Sequence, residues 1–111
     1  MRDYKLYLDD ILESIKRIEE YVEGLSLEKT RKNKLVIDGV VRNLEIIGEA
    51  VKNIAPEIKE KYKEIEWKKI SGLRDILAHE YYGIDIEVVW DIITNKLPPL
   101  KKQVKIILNE K

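Results

Sequence analysis

The chain has 111 residues, of which 44% are apolar and 38% are charged, and its formal net charge is zero. This balance predicts one folded domain over residues 1–111 and excludes a global electrostatic attraction to nucleic acid, so RNA binding needs a local basic patch. The lack of cysteine excludes disulfides, a single histidine argues against a zinc site, and no membrane span or signal peptide appears, which predicts a cytoplasmic protein.

The first predicted element is an amphipathic helix over residues 3–23. Charged residues such as Asp10 and Glu20 occupy its other face and are interpreted as solvent-facing. Gly24 is a suitable left-handed stop for this helix. Apolar residues recur at spacings of three and four and form one stripe, which consists of Tyr4, Leu8, Ile11, Leu12, Ile15, Ile18 and Val22.

A second helix is predicted from a cap at Ser26 to about Ala55. Gly39 and Gly48 each cost about 1 kcal/mol of helix stability relative to alanine, and such glycines often mark the close approach of another backbone. This helix is therefore expected to lie at the centre of the fold. Its predicted buried side consists of Leu35, Val36, Val40, Leu44, Ile47, Val51 and Ile54.

Two polar groups on this helix each leave two interpretations open. Arg42, Glu45 and Glu49 lie at i, i+3 and i+7 and so share one face, either as a surface ion-pair ladder or as part of a site. A dense basic run is either a solvated helix start or a contact to an RNA backbone, and it consists of Lys29, Arg31, Lys32 and Lys34.

The sequence pattern predicts that the second half of the chain is also helical. Pro56 suits the first turn of a short helix over residues 57–62, and Trp67 opens a helix to about Tyr81. Asp85 is the predicted cap of the next helix. Its apolar stripe consists of Val88, Val89, Ile92, Ile93 and Leu97.

Pro98 and Pro99 must kink or interrupt that last helix, because neither has an amide donor. The apolar pattern then resumes to the end of the chain, and no segment shows the alternation of a strand. The fold class predicted is all-α, an up-and-down bundle of four to five main helices.

The strongest chemical signal is Arg74 followed five residues later by His79, the only histidine. Arginine offers a fixed donor fork that matches a phosphate, and histidine can transfer protons near neutral pH. On a regular helix the two side chains point about 140° apart. Either the helix loosens near His79 or a second chain completes the site, and the symmetric dimer is the favoured interpretation. Asp75 lies one turn before His79 and can orient the imidazole.

The chain resembles the HepT-like branch of the HEPN-domain toxin ribonucleases. Many members of this family carry asparagine where this chain has Asp75, so the charge is expected to alter the pKa of His79 relative to them. The segments that carry the resemblance are Gly72-Leu73-Arg74, Leu77-Ala78-His79-Glu80-Tyr81, Gly83-Ile84-Asp85 and Arg42-Asn43-Leu44-Glu45-Ile46-Ile47-Gly48-Glu49-Ala50.

The resemblance implies a HEPN-like dimer that cleaves RNA without metal or cofactor, at a composite site of Arg74 and His79. It also implies supporting roles beside that motif for Asp75, Arg42, Glu45 and Glu49. Its implied partner is a minimal nucleotidyltransferase antitoxin, which attaches AMP to the hydroxyl of Tyr81.

Three functions follow from these residues. In the first, Arg74 binds the scissile phosphate while His79 acts as general base or acid for attack by the ribose 2′-OH. In the second, the protein is a non-catalytic subunit that binds a nucleotide or another substrate for a nucleotidyltransferase. In the third, it is a purely structural helical dimer.

Overall fold

The computed structural model describes residues 3–73 and 85–110. These ranges contain helices and no strand, which confirms the predicted all-α bundle. The elements are α1 (Tyr4–Val22), α2 (Leu27–Arg31), α3 (Lys34–Asn53), α4 (Pro56–Lys61), α5 (Trp67–Ser71), α6 (Ile86–Asp91), a π-helical segment (Ile92–Lys96) and α7 (Leu97–Asn109). The part of the predicted helix from 74 to 81 lies outside the described residues.

Helix α1 begins and ends where its sequence predicts. The side chain of Asp3 accepts a hydrogen bond from the amide of Lys5 at 3.0 Å and so caps the first turn. Gly24 has a φ angle of +75°, which confirms the predicted left-handed stop. The start of α6 is also confirmed, because the carboxylate of Asp85 accepts from the amides of Glu87 and Val88.

The prediction of one helix from Ser26 to Ala55 is wrong at its start. The hydroxyl of Ser26 accepts from the amide of Lys29 and caps only the short helix α2, which ends at Arg31. Asn33 then begins α3, because its side-chain oxygen accepts from the amide of Val36 at 3.1 Å. This hydrogen bond gives the amide of Val36 a side-chain partner in place of the carbonyl of a preceding helical turn. The chain therefore turns between α2 and α3.

The core is centred on the contact between α1 and α3. Tyr21, near the end of α1, contacts Gly39, near the start of α3: a Cβ added at Gly39 would lie 2.9 Å from Cε2 of the tyrosine ring. The two helices are therefore antiparallel, and the group that closely approaches Gly39 is the side chain of Tyr21, not another backbone as predicted. Along this contact both helices place fully buried side chains, namely Leu8, Ile11, Ile15, Ile18, Val40, Leu44, Ile47 and Val51.

Helix α7 packs against α1, and the residue after its end contacts Tyr62, which directly follows α4. Lys101 forms an ion pair with Glu19 of α1 at 2.9 Å. At the other end of α7, the phenol of Tyr62 donates to the carboxylate of Glu110 at 2.7 Å. This hydrogen bond to the carboxylate raises the pKa of Tyr62 to about 12. These contacts fix the C-terminal helix across the bundle.

The effect predicted for Pro98 and Pro99 is found in the turn before them. The helix widens into the π-helical segment, where the amide of Leu97 donates to the carbonyl of Ile92, five residues earlier. Both prolines lie at the start of α7, where a missing amide hydrogen costs least. The helix therefore continues through the prolines with a local change of pitch.

Two apolar side chains predicted to face inward do not. Leu35 is 84% exposed, because it lies on the first turn of α3, before the stretch that contacts α1. Val88 is 43% exposed, although its neighbour Val89 is buried. Among the helices that the structure describes, none is both long enough and apolar enough to cross a membrane.

The cap at Asn33 gives a stability prediction. We expect Asn33→Ala to lower the free energy of unfolding by about 1 kcal/mol, because the amide of Val36 loses its partner. Asn33→Asp keeps a side-chain acceptor and should be close to the wild type. Urea unfolding at one protein concentration measures both, and an alanine variant as stable as the aspartate variant would contradict the capping role.

Candidate functional site

The residues at the centre of the predicted site are not among those described. Arg74, Asp75, His79 and Tyr81 lie between residue 73, where the first described range ends, and residue 85, where the second begins. The structure therefore places only the predicted residues of α3, which are Arg42, Glu45 and Glu49.

These three side chains line one pocket between α1 and α3, which we term the α1/α3 pocket. It has a volume of about 350 Å³ and is open to solvent. The prediction that Arg42, Glu45 and Glu49 share a face is confirmed. Among the described residues, the lining consists of Tyr7 and Asp10 from α1, and Arg42, Glu45, Ile46, Glu49, Ala50 and Asn53 from α3.

The helical repeat explains why these residues meet. In α3, the buried positions that contact α1 include Leu44, Ile47 and Val51. Positions at i, i+3 and i+7 along the edge of this apolar stripe therefore lie beside α1 and still reach solvent. The same core that holds α1 against α3 thus positions the polar lining.

The pocket has an apolar interior and a polar rim. Ala50 is buried, and Ile46 and Tyr7 are half-buried. Arg42 and Glu49 are exposed at the rim. An aromatic ring and aliphatic groups below convergent polar side chains are typical of a small-molecule or nucleotide site.

The described part of the lining carries charged groups of both signs. They are three carboxylates, from Asp10, Glu45 and Glu49, and one guanidinium, from Arg42, and both Asp10 and Glu49 already have an interaction partner. In residues 3–73 and 85–110, no group of three acidic or histidine side chains is arranged to hold a metal ion. The carboxylates of the pocket therefore do not form a chelating cluster.

Arg42 and Glu45 do not pair with each other, although they lie one turn apart on α3. Neither side chain has a hydrogen bond or an ion pair in the part of the chain that the structure describes. The interpretation as an ion-pair ladder therefore does not hold for this pair. Both groups keep their hydrogen-bonding capacity toward the pocket.

Sequence reasoning missed the part of the lining that comes from α1. Asp10 was interpreted as a solvent-facing residue of α1, and neither Tyr7 nor Asn53 was singled out. Tyr7 and Asp10 are three residues apart and border the apolar stripe that contains Leu8 and Ile11, so they share one edge of the helix. That spacing was the available signal, but the sequence does not say which helix lies beside this edge.

The basic run lies at the other end of α3 from the pocket. Arg31 pairs with Glu28 and with Glu87 of α6, each at 3.5 Å, so its charge is partly neutralised. Lys29, Lys32 and Lys34 are exposed. A contact of this run with RNA stays a prediction.

Comparison with known proteins identifies the family. Residues 11–107 match the family model described as "Ribonuclease HepT-like". The chain belongs to the ribonuclease HepT-like family. The predicted resemblance is thereby confirmed, and the match covers every described residue of the α1/α3 pocket except Tyr7 and Asp10.

Individual relatives agree with this assignment. A protein of Caldanaerobacter subterraneus, provisionally named an RNase, is 43% identical over 99% of this chain and 98% of its own length. A Thermococcus cleftensis protein named "Probable ribonuclease HepT" is 41% identical over 90% of this chain and 91% of its own length.

A longer relative shows the same similarity in part of its length. A Methanocaldococcus jannaschii protein, named a gamma-glutamylcyclotransferase and, provisionally, an RNase, is 41% identical over 98% of this chain. The chain spans about half of that relative, 49%. No solved structure matches the chain significantly. The HepT-like match and these names support a ribonuclease.

The unpaired state of Arg42 and Glu45 is testable by a double-mutant cycle. With Arg42→Gln and Glu45→Gln, we expect a coupling energy near zero in urea unfolding, because the two side chains do not contact each other. The matched control is the ion pair of Glu13 and Arg17 on α1, whose charged atoms are 3.4 Å apart. We expect its coupling energy to be about 0.3–0.5 kcal/mol, as for other exposed pairs one helical turn apart. Coupling of Arg42 and Glu45 as strong as the control would contradict the described pocket.

Proposed function

We propose that this protein is a metal-independent endoribonuclease, the toxin of a pair whose antitoxin is a minimal nucleotidyltransferase, and that it acts in the cytoplasm. The observation that carries the proposal is the HepT-like match over residues 11–107. The names of the relatives support the ribonuclease activity, and the family resemblance of the sequence supports the pairing.

The proposed reaction uses the RNA's own nucleophile. His79 removes the proton from a ribose 2′-OH, and the 2′-oxygen forms a bond to the adjacent phosphorus. The bond from phosphorus to the 5′-oxygen breaks, and that oxygen takes up a proton as it leaves. The products are a 2′,3′-cyclic phosphate and a free 5′-hydroxyl. Because the nucleophile belongs to the substrate, neither a metal-bound water nor a cofactor is needed, and DNA is not cut.

Arg74 is the proposed phosphate ligand. Its guanidinium binds the non-bridging oxygens and stabilises the negative charge that develops during attack. Asp75, four residues before His79 in the sequence, orients the imidazole and favours its charged form. Tyr81 is the proposed acceptor of AMP, and an anionic adduct so close in sequence to Arg74 and His79 would exclude an RNA phosphate.

Arg42, Glu45 and Glu49 are proposed to support the site from α3. Their convergence on one pocket is consistent with this role. In addition, α5, which precedes Arg74 in the chain, contacts α3. The described fold thus leads the chain toward α3 just before the motif begins.

The pocket also favours a second candidate function, a non-catalytic subunit that binds a nucleotide or another substrate for a nucleotidyltransferase. Its volume of about 350 Å³ and its mixed lining suit a small polar ligand. Retained nucleotide binding by a wild type that cleaves no RNA would support this function over the nuclease.

RNA cleavage in the presence of EDTA tests the nuclease directly. We expect the wild type to cleave single-stranded RNA to 2′,3′-cyclic phosphate ends, and His79→Ala to abolish cleavage, because it removes the base. Circular dichroism confirms that the variant is folded, and a second preparation through different columns excludes a contaminating nuclease. Full activity of His79→Ala would rule out this assignment.

Mixing two inactive variants tests the composite site. If Arg74 and His79 come from different subunits, equimolar Arg74→Ala and His79→Ala proteins that exchange subunits should regain about a quarter of wild-type activity, since half of the dimers carry one intact site of two. A site within one subunit predicts no recovery. Subunit exchange is verified independently by mass spectrometry of the mixed dimers.

A further inference from the structure

We infer that three lysines of the basic run, Lys29, Lys32 and Lys34, bind the phosphate backbone of the RNA that is cleaved at Arg74 and His79. We term these three residues the lysine patch. The inference rests on the proposed function and adds to it the path of the substrate across the protein surface. It decides between the two interpretations that the sequence leaves open for the basic run.

The charges of the lysine patch have no counter-ion in residues 3–73 and 85–110. All three side chains are exposed, and none of their ammonium groups has an ion pair or a hydrogen bond within these ranges. Glu28 of α2 and Glu87 of α6 pair with Arg31 instead, each at 3.5 Å. Arg31 thus engages both carboxylates, and the lysine charges stay open to solvent.

The arrangement of the lysine patch suits a row of phosphates. Lys29 lies in α2 and Lys32 is its C-cap residue, three positions later, which corresponds to about 4.5 Å along a helix axis. Lys34 follows the turn at Asn33 and begins α3. Lysine places a point charge on a flexible stem, so the patch can neutralise successive phosphates without reading the base sequence.

A protein partner fits the lysine patch less well than RNA does. The buried centre of a protein–protein interface is depleted in lysine and enriched in aromatic residues. Residues 28–35 include no aromatic side chain, and Leu35 is their only apolar one. A single exposed apolar side chain is common on protein surfaces and does not indicate an interface.

The lysine patch lies beside the helix that follows the proposed catalytic motif. Helix α2 contacts α6, and the ion pair of Arg31 with Glu87 joins them. Asp85, which caps α6, comes six residues after His79 in the sequence, and six residues of chain span at most about 21 Å. A strand of several nucleotides whose scissile phosphate is held at the motif can therefore reach the patch.

Salt-dependent binding of an uncleavable RNA tests the inference separately from catalysis. The probe is a fluorescent 2′-fluoro decauridine, and anisotropy with the full-length protein gives its affinity between about 50 and 200 mM KCl. Each neutralised phosphate of a single strand contributes about 0.7 to the slope of log K against log salt concentration. We expect Lys29→Gln/Lys32→Gln/Lys34→Gln to lower this slope by about 2 and to weaken binding at low salt by roughly tenfold or more.

A matched variant separates local contact from net charge. Lys16→Gln/Lys102→Gln/Lys105→Gln also removes three positive charges, from exposed positions on α1 and α7. It should retain the salt slope of the wild type, because these lysines lie outside the patch. Circular dichroism verifies that both variants are folded, which is expected since every substituted side chain is exposed.

A cross-link tests the position of the RNA. The chain has no cysteine, so Lys32→Cys treated with a benzophenone maleimide carries the label only in the lysine patch. We expect ultraviolet light to join this protein to the decauridine. The same label at Lys102→Cys, on α7, should give only the background level.

The outcomes separate this inference from the proposed nuclease. An unchanged salt slope in the patch variant, an equal loss in the matched variant, or no binding by the wild type would overturn the RNA contact, even if RNA is cleaved. Unchanged RNA binding with lost binding of a nucleotidyltransferase would make the patch a protein contact and overturn it too. A lower slope in the patch variant alone, with cross-linking at Lys32→Cys, supports the inference even if the wild type cleaves nothing.

Discussion

The antiparallel contact between α1 and α3 is the constraint on which the described structure depends. Fully buried leucine, isoleucine and valine side chains line it from both helices, and Gly39 lets the ring of Tyr21 approach the backbone of α3. Close packing of this kind fixes the rotation of each helix about its axis. The polar edges of the two helices are therefore fixed as well, and one of these edges forms the α1/α3 pocket.

This arrangement separates two tasks within the proposed site. Arg74 and His79 carry the chemistry in the proposal, whereas the pocket residues lie on two helices held by the core. Side chains on packed helices keep their geometry better than those on loops.

Much of the fold was predictable, because local rules decide it. The stop at Gly24 and the cap at Asp85 depend on a few neighbouring atoms, and both are confirmed. The break at Asn33 was missed although residues 28–34 contain no apolar side chain that would continue the stripe. The hydrogen bond that the Asn33 side chain accepts from the amide of Val36 marks the new helix start. The exposure of Leu35 was missed for a related reason, since periodicity does not show where a helix first meets its neighbour.

The site was predictable on α3 and not on α1, because the spacing of Arg42 and Glu45 is local whereas the neighbour of Tyr7 is set by tertiary packing. The most direct test of the central claim, that RNA binds at this packed edge, is an NMR titration of the protein with an RNA hexanucleotide that carries 2′-fluoro groups and is therefore uncleavable. The account predicts that backbone amide shifts concentrate at residues 7–10 and 42–53, in addition to those at the lysine patch. Shifts confined to other surfaces, with these two stretches unchanged, would contradict it.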